Sequence, residues 1–448
     1  MRTSKGPPRM SRRSVLGLGA AATAALTLGA CKDSAQPGSD GNEGAQPTSG
    51  GDGGKGPVQL TLWNGFTGGD GDIFKKLVDR FNKDHANIAV AVVVYKWADY
   101  YTKLPAAVAS GNGPDLAVMH SDQLATNAAR NVIMPLDDVA SALKLPEGDF
   151  TPAVWKAGLY KNKRYGVPLD MHPLGFFYNK AVMQKAGLDP NKPPQTRDDY
   201  AAALAELKKS GLQGYWVTPF KFTGVLTFES LLWQFGGELF NADVSRAAYS
   251  SDAGVQALSW MVSMVTDGHS PKDVGQDADI IALKNGKNTF NWNGIWQINE
   301  LAQVSGLEWG VAPLPQIGTQ RAAWAGSHNF AIVQQRKPDP RKVDASKIFI
   351  NWLSQHSLDW AQGGQIPART SVRQEPGFAA LKEVNLLAQQ VDSLHFAPAL
   401  PGVGEAIDTL DAAVNEAVLL KKPPKQALDD AAARADKILA ENLKKYGG

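Results

Sequence analysis

The sequence predicts a two-lobed α/β protein, and two observations carry the prediction. From Val58 onward, short apolar runs alternate with stretches of helical periodicity, the pattern of β-α-β units whose sheets are covered by helices. The body that begins there is about 390 residues long, more than one ordinary hydrophobic core accommodates, so two lobes are expected.

The segment ahead of that body reads as targeting and tether. Ser11-Arg12-Arg13-Ser14-Val15-Leu16 resembles a twin-arginine export signal, and an Ala/Gly/Leu run extends from Val15 to Ala30. About sixteen small-sided residues are too few for a stable membrane span. The run ends in Leu28-Gly29-Ala30-Cys31, which resembles a bacterial lipobox, so residues 1–30 read as a signal peptide and Cys31 as a diacylated N-terminus. An ordinary secretory signal with an incidental cysteine is the alternative. Residues 31–57 are rich in Gly, Ser, Pro, Asp and Gln; up to Pro57, Lys32 onward contains no Val, Ile, Leu or aromatic residue, so it forms a flexible linker with no core of its own.

Within the body, Gln59 to Trp63 reads as a strand, and a turn containing Gly65, Gly68, Gly69 and Gly71 leads into a helix with Phe74, Leu77, Val78 and Phe81 on one face. Ile88–Tyr95 and Asp115–Met119 read as the next strands, and the alternation implies parallel sheets. Thr196 and Asp199 form a capping box for a helix carrying Tyr200, Leu204 and Leu207. A helix after Ser251 is expected to face inward through Val255, Leu258, Val262 and Val265, and a final helix from Pro424 to Tyr446 through Leu428, Ala432, Ala435 and Leu439.

Composition excludes several functions. Cys31 is the only cysteine, which leaves no disulfide, thiolate nucleophile or Cys-based metal site. The formal charge of +2 includes five cations before Cys31 (Arg2, Lys5, Arg9, Arg12 and Arg13) and no acid there, so the mature chain falls to −3 and carries no bulk basic character for nucleic acid. No zinc-protease, nucleophile-elbow or phosphate-loop motif occurs in the body. The seven histidines, His85, His120, His172, His269, His328, His356 and His395, show no metal-ligand spacing, so no metal and no cofactor is expected.

Tryptophan is the abundant functional residue type, with twelve in the chain. Trp63, Trp233, Trp292, Trp296 and Trp324 stand beside or near Gly or Asn at expected loop starts, where a half-exposed indole suits the flat C–H face of a sugar while neighbouring polar groups bond its hydroxyls. For each, a core role with the N–H satisfied is the alternative. Trp260, Trp352 and Trp360 are assigned to the core, the first two because they lie in apolar helical patterns.

Leu60-Thr61-Leu62-Trp63-Asn64-Gly65, Pro114-Asp115-Leu116-Ala117-Val118, Tyr165-Gly166-Val167-Pro168, Phe177-Tyr178-Asn179-Lys180, Asn293-Gly294-Ile295-Trp296, Trp309 to Pro315 and Ile366-Pro367-Ala368-Arg369 together resemble the solute-binding proteins of sugar ABC importers, the maltose-binding-protein-like group. The resemblance spans nearly the whole body in order. It implies a periplasmic-binding-protein-like fold, two α/β lobes with a ligand cleft and a hinge of crossover segments: residues 58–170 plus 313–356 in the N-terminal lobe, 171–312 plus 357–448 in the C-terminal lobe.

By that resemblance the ligand contacts fall on Phe66 and Thr67 in the first strand-to-helix loop, Asp122, His172, Trp296, Trp324, His328 and Arg369; Trp233 and Asn293, from the tryptophan pattern, and Asp170, beside His172, complete the candidate set. Asp122 offers a carboxylate for vicinal hydroxyls, with a helix N-cap as its alternative role. His172 stands where the maltose binder carries a glutamate, a departure that puts maltose itself in doubt; a hinge histidine is its alternative. Arg369 is alternatively a brace between lobes. The reading is a monomeric receptor, lipid-anchored on the outer face of the cytoplasmic membrane, that captures a carbohydrate and passes it to ABC permease subunits without catalysis. Its rivals are a binder of glycerol phosphate or another anionic solute, which requires several Arg or Lys in the cleft, and a secreted glycan-acting enzyme, which requires two cleft carboxylates with Asp122 and Asp170 as the available pair.

Overall fold

The computed structural model describes residues 56–220 and 222–446; the signal segment and Cys31 lie outside them. Eleven strands position the site: β1 (Val58–Asn64), β2 (Ile88–Val94), β3 (Leu116–His120), β4 (Val167–Pro168), β5 (Asp170–Asn179), β6 (Phe290–Gly294), β7 (Trp309–Ala312), β8 (Ala323–Gly326), β9 (His328–Ile332), β10 (Ile366–Pro367) and β11 (Leu394–His395). They form two main sheets. The first has the order β2-β1-β3-β9-β4; β1 is parallel to β2 and β3, and β9 runs antiparallel to β3 and β4.

The second sheet is built around β5, whose ten residues are all buried. Both faces of that strand are covered, so Asp170, His172 and Asn179 are buried along with Leu174, Phe176 and Phe177 and no inside–outside alternation appears. Strands β6, β7, β8 and β10 all pair with it antiparallel, and only β8 with β11 is parallel. This corrects the expectation of parallel sheets. Apolar periodicity marks a strand but carries no information on its direction, which the connections decide.

The helices used below are α1 (Gly69–Asp84), α2 (Trp97–Ser110), α3 (Ser121–Ala129), α4 (Thr223–Gln234), α5 (Asp252–Thr266), α6 (Thr409–Val418) and α7 (Pro424–Tyr446). In α1 the expected face of Phe74, Leu77, Val78 and Phe81 is buried. The Thr196 capping box is present, with the Thr196 hydroxyl accepting from Asp199 N–H at 3.2 Å and the Asp199 carboxylate accepting from Thr196 N–H at 3.2 Å. In α5 the stripe is displaced: Ala257, Leu258, Trp260, Met261 and Met264 are buried, while Val255, Val262 and Val265 are only partly so. The helix packs against α4, α6 and α7 at once, so the larger sulfur and aromatic side chains take the centre of a face wider than one stripe. Helix α7 buries Leu428, Ala435 and Leu439 as expected, with Ala427 and Ala431 instead of Ala432 at the centre.

The chain passes from the first sheet to the second between β4 and β5, and returns between β8 and β9. Within residues 313–356, Ala323–Gly326 pairs in the second sheet and His328–Ile332 in the first. Among the described residues, no helix is long and apolar enough to cross a membrane.

Candidate ligand-binding cleft

Strand register at the crossover brings distant residues together. His328 of β9 lies opposite His120 of β3, and Gly326 of β8 opposite His172 of β5. The three imidazoles consequently meet, with ring centroids 4.2 Å apart for His172 and His328, 5.0 Å for His120 and His328, and 5.6 Å for His120 and His172. A Cβ at position 326 would overlap the His172 ring, so this register requires glycine there.

These histidines line a cavity of about 510 Å³, within the range of small-molecule sites. Its aromatic lining comes from three directions: Trp97 at the start of α2, Trp296 in the turn after β6, and Trp324 in β8. Trp97 stacks nearly parallel to His328 with centroids 5.9 Å apart, and Trp324 and Trp296 stand 5.8 Å and 6.3 Å from the His172 ring. Trp296 folds back over its own neighbour, because its six-membered ring occupies the space a Cβ at Gly294 would need. That is the physical content of the tryptophan-glycine pairing in this part of the sequence.

Polar groups converge on the same space. Asp122 projects from the first turn of α3; the N-cap of that helix is His120, so the capping role considered for Asp122 does not apply. Its carboxylate accepts from Gln123 Nε2 at 2.9 Å. Glu229, in the middle of α4, is 1% exposed, and one carboxyl oxygen has no hydrogen-bond partner among the described residues. Burial, reinforced by Asp122 and Asp408, pushes its carboxyl up to about 8. At neutral pH Glu229 is therefore mostly protonated and able to donate a hydrogen bond while the cleft's other acids accept. Asp408 and Asp411 add further carboxylates, and the described lining residues include no Lys or Arg.

Seven sequence-derived candidates line the cavity: Thr67, Asp122, His172, Asn293, Trp296, Trp324 and His328. Four do not. Phe66 is buried against Phe74, Trp97, His328 and Trp360. Asp170 is fully buried beneath the histidines, where it accepts from His328 N–H at 2.9 Å, Trp360 Nε1 at 2.7 Å, and the Nδ1 atoms of His328 and His172 at 2.8 and 3.2 Å. Burial alone would raise its carboxyl; the His328 ring beside it and the donors from both histidines outweigh that and hold it far below the usual carboxylate range. Trp233 is a core residue stacked on His395. Arg369 is engaged with Asp149 at 2.6 Å and lies over Phe150, a structural brace.

Trp260, Trp352 and Trp360 are buried as expected. Trp97, His120 and Glu229 were missed by the sequence reading. Glu229 had a signal, a lone acid within Val225-Leu226-Thr227-Phe228-Glu229-Ser230-Leu231-Leu232-Trp233. His120 had none, since its proximity to His172 and His328 is cross-strand and leaves no spacing pattern.

Residues 76–385 match the family model for bacterial extracellular solute-binding proteins. This chain belongs to that family. Among its relatives, the galactooligosaccharide-binding protein of Bacillus subtilis (strain 168) is 23% identical over 392 residues, 84% of this chain and 88% of that one. The sn-glycerol-3-phosphate-binding periplasmic protein of Pectobacterium atrosepticum is 32% identical over 168 residues, 35% of this chain and 37% of that one. Among solved structures, the cyclic alpha-maltosyl-1,6-maltose binding protein from Arthrobacter globiformis superimposes with a TM-score of 0.73 at 25% identity, over 86% of this chain and 100% of that one. The solute-binding protein thus has the periplasmic-binding-protein-like fold of two α/β lobes around a cleft, and its family acts outside the cytoplasm by binding and not by turnover.

Proposed function

We propose that this protein captures a neutral saccharide, an oligosaccharide in particular, and delivers it to the permease of an ABC importer. The observation that carries this reading is the cleft lining: three tryptophans on different elements surround a space that also receives Asp122, Glu229 and Asn293. Indole faces take the C–H surfaces of a sugar and the carboxyl groups take its hydroxyls. The galactooligosaccharide-binding and cyclic alpha-maltosyl-1,6-maltose binding proteins to which the chain is similar support, by what they are named for binding, the same ligand class. Lobe boundaries follow the sheet pairing, with the hinge at the β4–β5 and β8–β9 crossovers and ligand favouring the closed arrangement by touching both lobes. The mature chain is held at the membrane as a monomer by acylated Cys31 after export through its twin-arginine-like signal.

The glycerol-phosphate reading has the support of the 32% match over part of the chain. Against it stands a lining whose described residues offer carboxylates and no Lys or Arg. The enzyme reading loses its expected pair, because Asp170 lies under the histidines and not in the cavity. A thermal-shift and calorimetric screen over mono- to tetrasaccharides, with sn-glycerol 3-phosphate as the anionic arm, tests the proposal. Saturable binding of a saccharide without release of products over hours is the expected result. Binding of the phosphate ester alone, or production of new reducing ends, overturns it.

A further inference from the structure

We propose that His120, His172 and His328 form a three-histidine site for zinc or a neighbouring late first-row divalent cation, placed in the cleft where the chain crosses between its two sheets. The inference concerns a different ligand from the saccharide and does not depend on that reading. It starts from geometry: one nitrogen from each ring lies within 4.8 Å of the other two, although the residues come from three strands and two sheets. Tetrahedral zinc with Zn–N bonds of about 2.0–2.1 Å holds its ligands about 3.3 Å apart, so small ring movements complete the set.

The surroundings of the rings fit ligation better than mere packing. A metal-bound histidine characteristically has its second nitrogen fixed by a carboxylate or other polar group. Here Asp170 engages Nδ1 of both His172 and His328, at 3.2 and 2.8 Å, while its own position is set by the His328 N–H and Trp360 Nε1. As an ionised acceptor Asp170 selects the Nδ1–H tautomer on each ring and turns a bare Nε2 lone pair outward. The third ring is fixed by Tyr101, whose hydroxyl lies 2.7 Å from His120 Nδ1 and accepts from the His120 N–H at 2.9 Å. Ligation through Nε2 of His120 requires Nδ1–H to donate to the hydroxyl's second lone pair, a direction the 2.7 Å separation accommodates.

With three protein nitrogens the fourth coordination position is left to the cavity that all three histidines line, open to water or to a ligand atom. Asp170 then compensates part of the added charge from behind the site. A neutral imidazole set favours Zn²⁺, Co²⁺, Ni²⁺ or Cu²⁺ over the oxygen-seeking Mg²⁺ and Ca²⁺. Because His172 lies on β5 and the other two ligands on the first sheet, the ion would bind both sides of the crossover.

The test uses the mature chain without a polyhistidine tag, stripped with chelator and loaded with Zn²⁺ or Co²⁺. Equilibrium dialysis with elemental analysis is expected to give one tightly held ion per chain, the Co²⁺ form the intense visible bands of tetrahedral coordination, and X-ray absorption on the Zn²⁺ form about three imidazole nitrogens. His120→Ala and His328→Ala should each lower Zn²⁺ affinity at least a hundredfold, and Tyr101→Phe, a positioning change, roughly tenfold, whereas His356→Ala should change nothing. Absence of stoichiometric binding, or fewer than two imidazoles in the wild-type spectrum, overturns the proposal even if a variant fails to fold. Saccharide titration of the metal-free protein reads the other function separately.

Discussion

Glu229 makes the stability of this protein depend on pH in a direction opposite to that of most carboxylates. Its carboxyl is raised from an ordinary 4.5 to about 8 by burial, then by the charges of Asp122 on α3 and Asp408 just before α6, with Asp411 on the same cavity wall. The folded state therefore holds a proton that the unfolded chain releases between these two values. Stability from that proton is fully present below about pH 4.5 and is lost as pH rises through about 8. At about 1.4 kcal/mol per pH unit, the folded protein should lose roughly 3 kcal/mol between pH 5 and pH 8 through this group alone. Glu229→Gln keeps the shape and a hydrogen-bond donor but removes the titration. Urea unfolding of wild type and variant at half-unit steps from pH 5 to 8.5 isolates the effect, since every other group titrates in both proteins. The variant's stability relative to wild type should climb with pH. Parallel curves would refute the claim that Glu229 is neutral in the folded cleft.

Other outcomes follow from the same structure. Trp296→Ala should weaken saccharide binding about thirtyfold, about 2 kcal/mol, by calorimetry, with a melting temperature close to wild type, because the ring is only partly buried and lines the cavity. Trp352→Ala should do the reverse, costing about 3–5 kcal/mol of stability, since the indole packs at 5.6 Å from Phe81 and 3.9 Å from His356, while leaving the affinity of the folded fraction unchanged. Cys31→Ser should move the protein out of the membrane fraction, as judged by fractionation and blotting, since stable retention takes the acyl chains that cysteine would carry. Small-angle scattering should report a smaller radius of gyration with bound saccharide than without, and an unchanged radius at saturation would rule out closure by hinge motion.

What could be read from the sequence was local or translational in character. A strand announces itself through a short apolar run such as Leu116–Met119, a helix through Phe74, Leu77, Val78 and Phe81 at helical spacing, and a helix start through Thr196 and Asp199. Indoles beside glycines pointed to Trp296 and Trp324 for a similarly local reason, since the glycine is what lets the ring lie close to the backbone at Gly294. What escaped depends on contacts that no window along the chain contains. Trp233 stands beside a Gly-Gly turn like the others, yet the end of α4 is covered by His395 from a strand more than 150 residues away, and the indole is buried. Asp170 and His172 are two residues apart on one strand and so share a face, but the second crossover places His328 and Trp360 over the carboxylate and leaves only the imidazole at the cavity. The difference between ligand contact and support there is a matter of depth along one side of β5. Strand register at the crossovers, which pairs His120 with His328 and His172 with Gly326, is the physical variable that decides it, and it is set by the two sheets together and not by either segment alone.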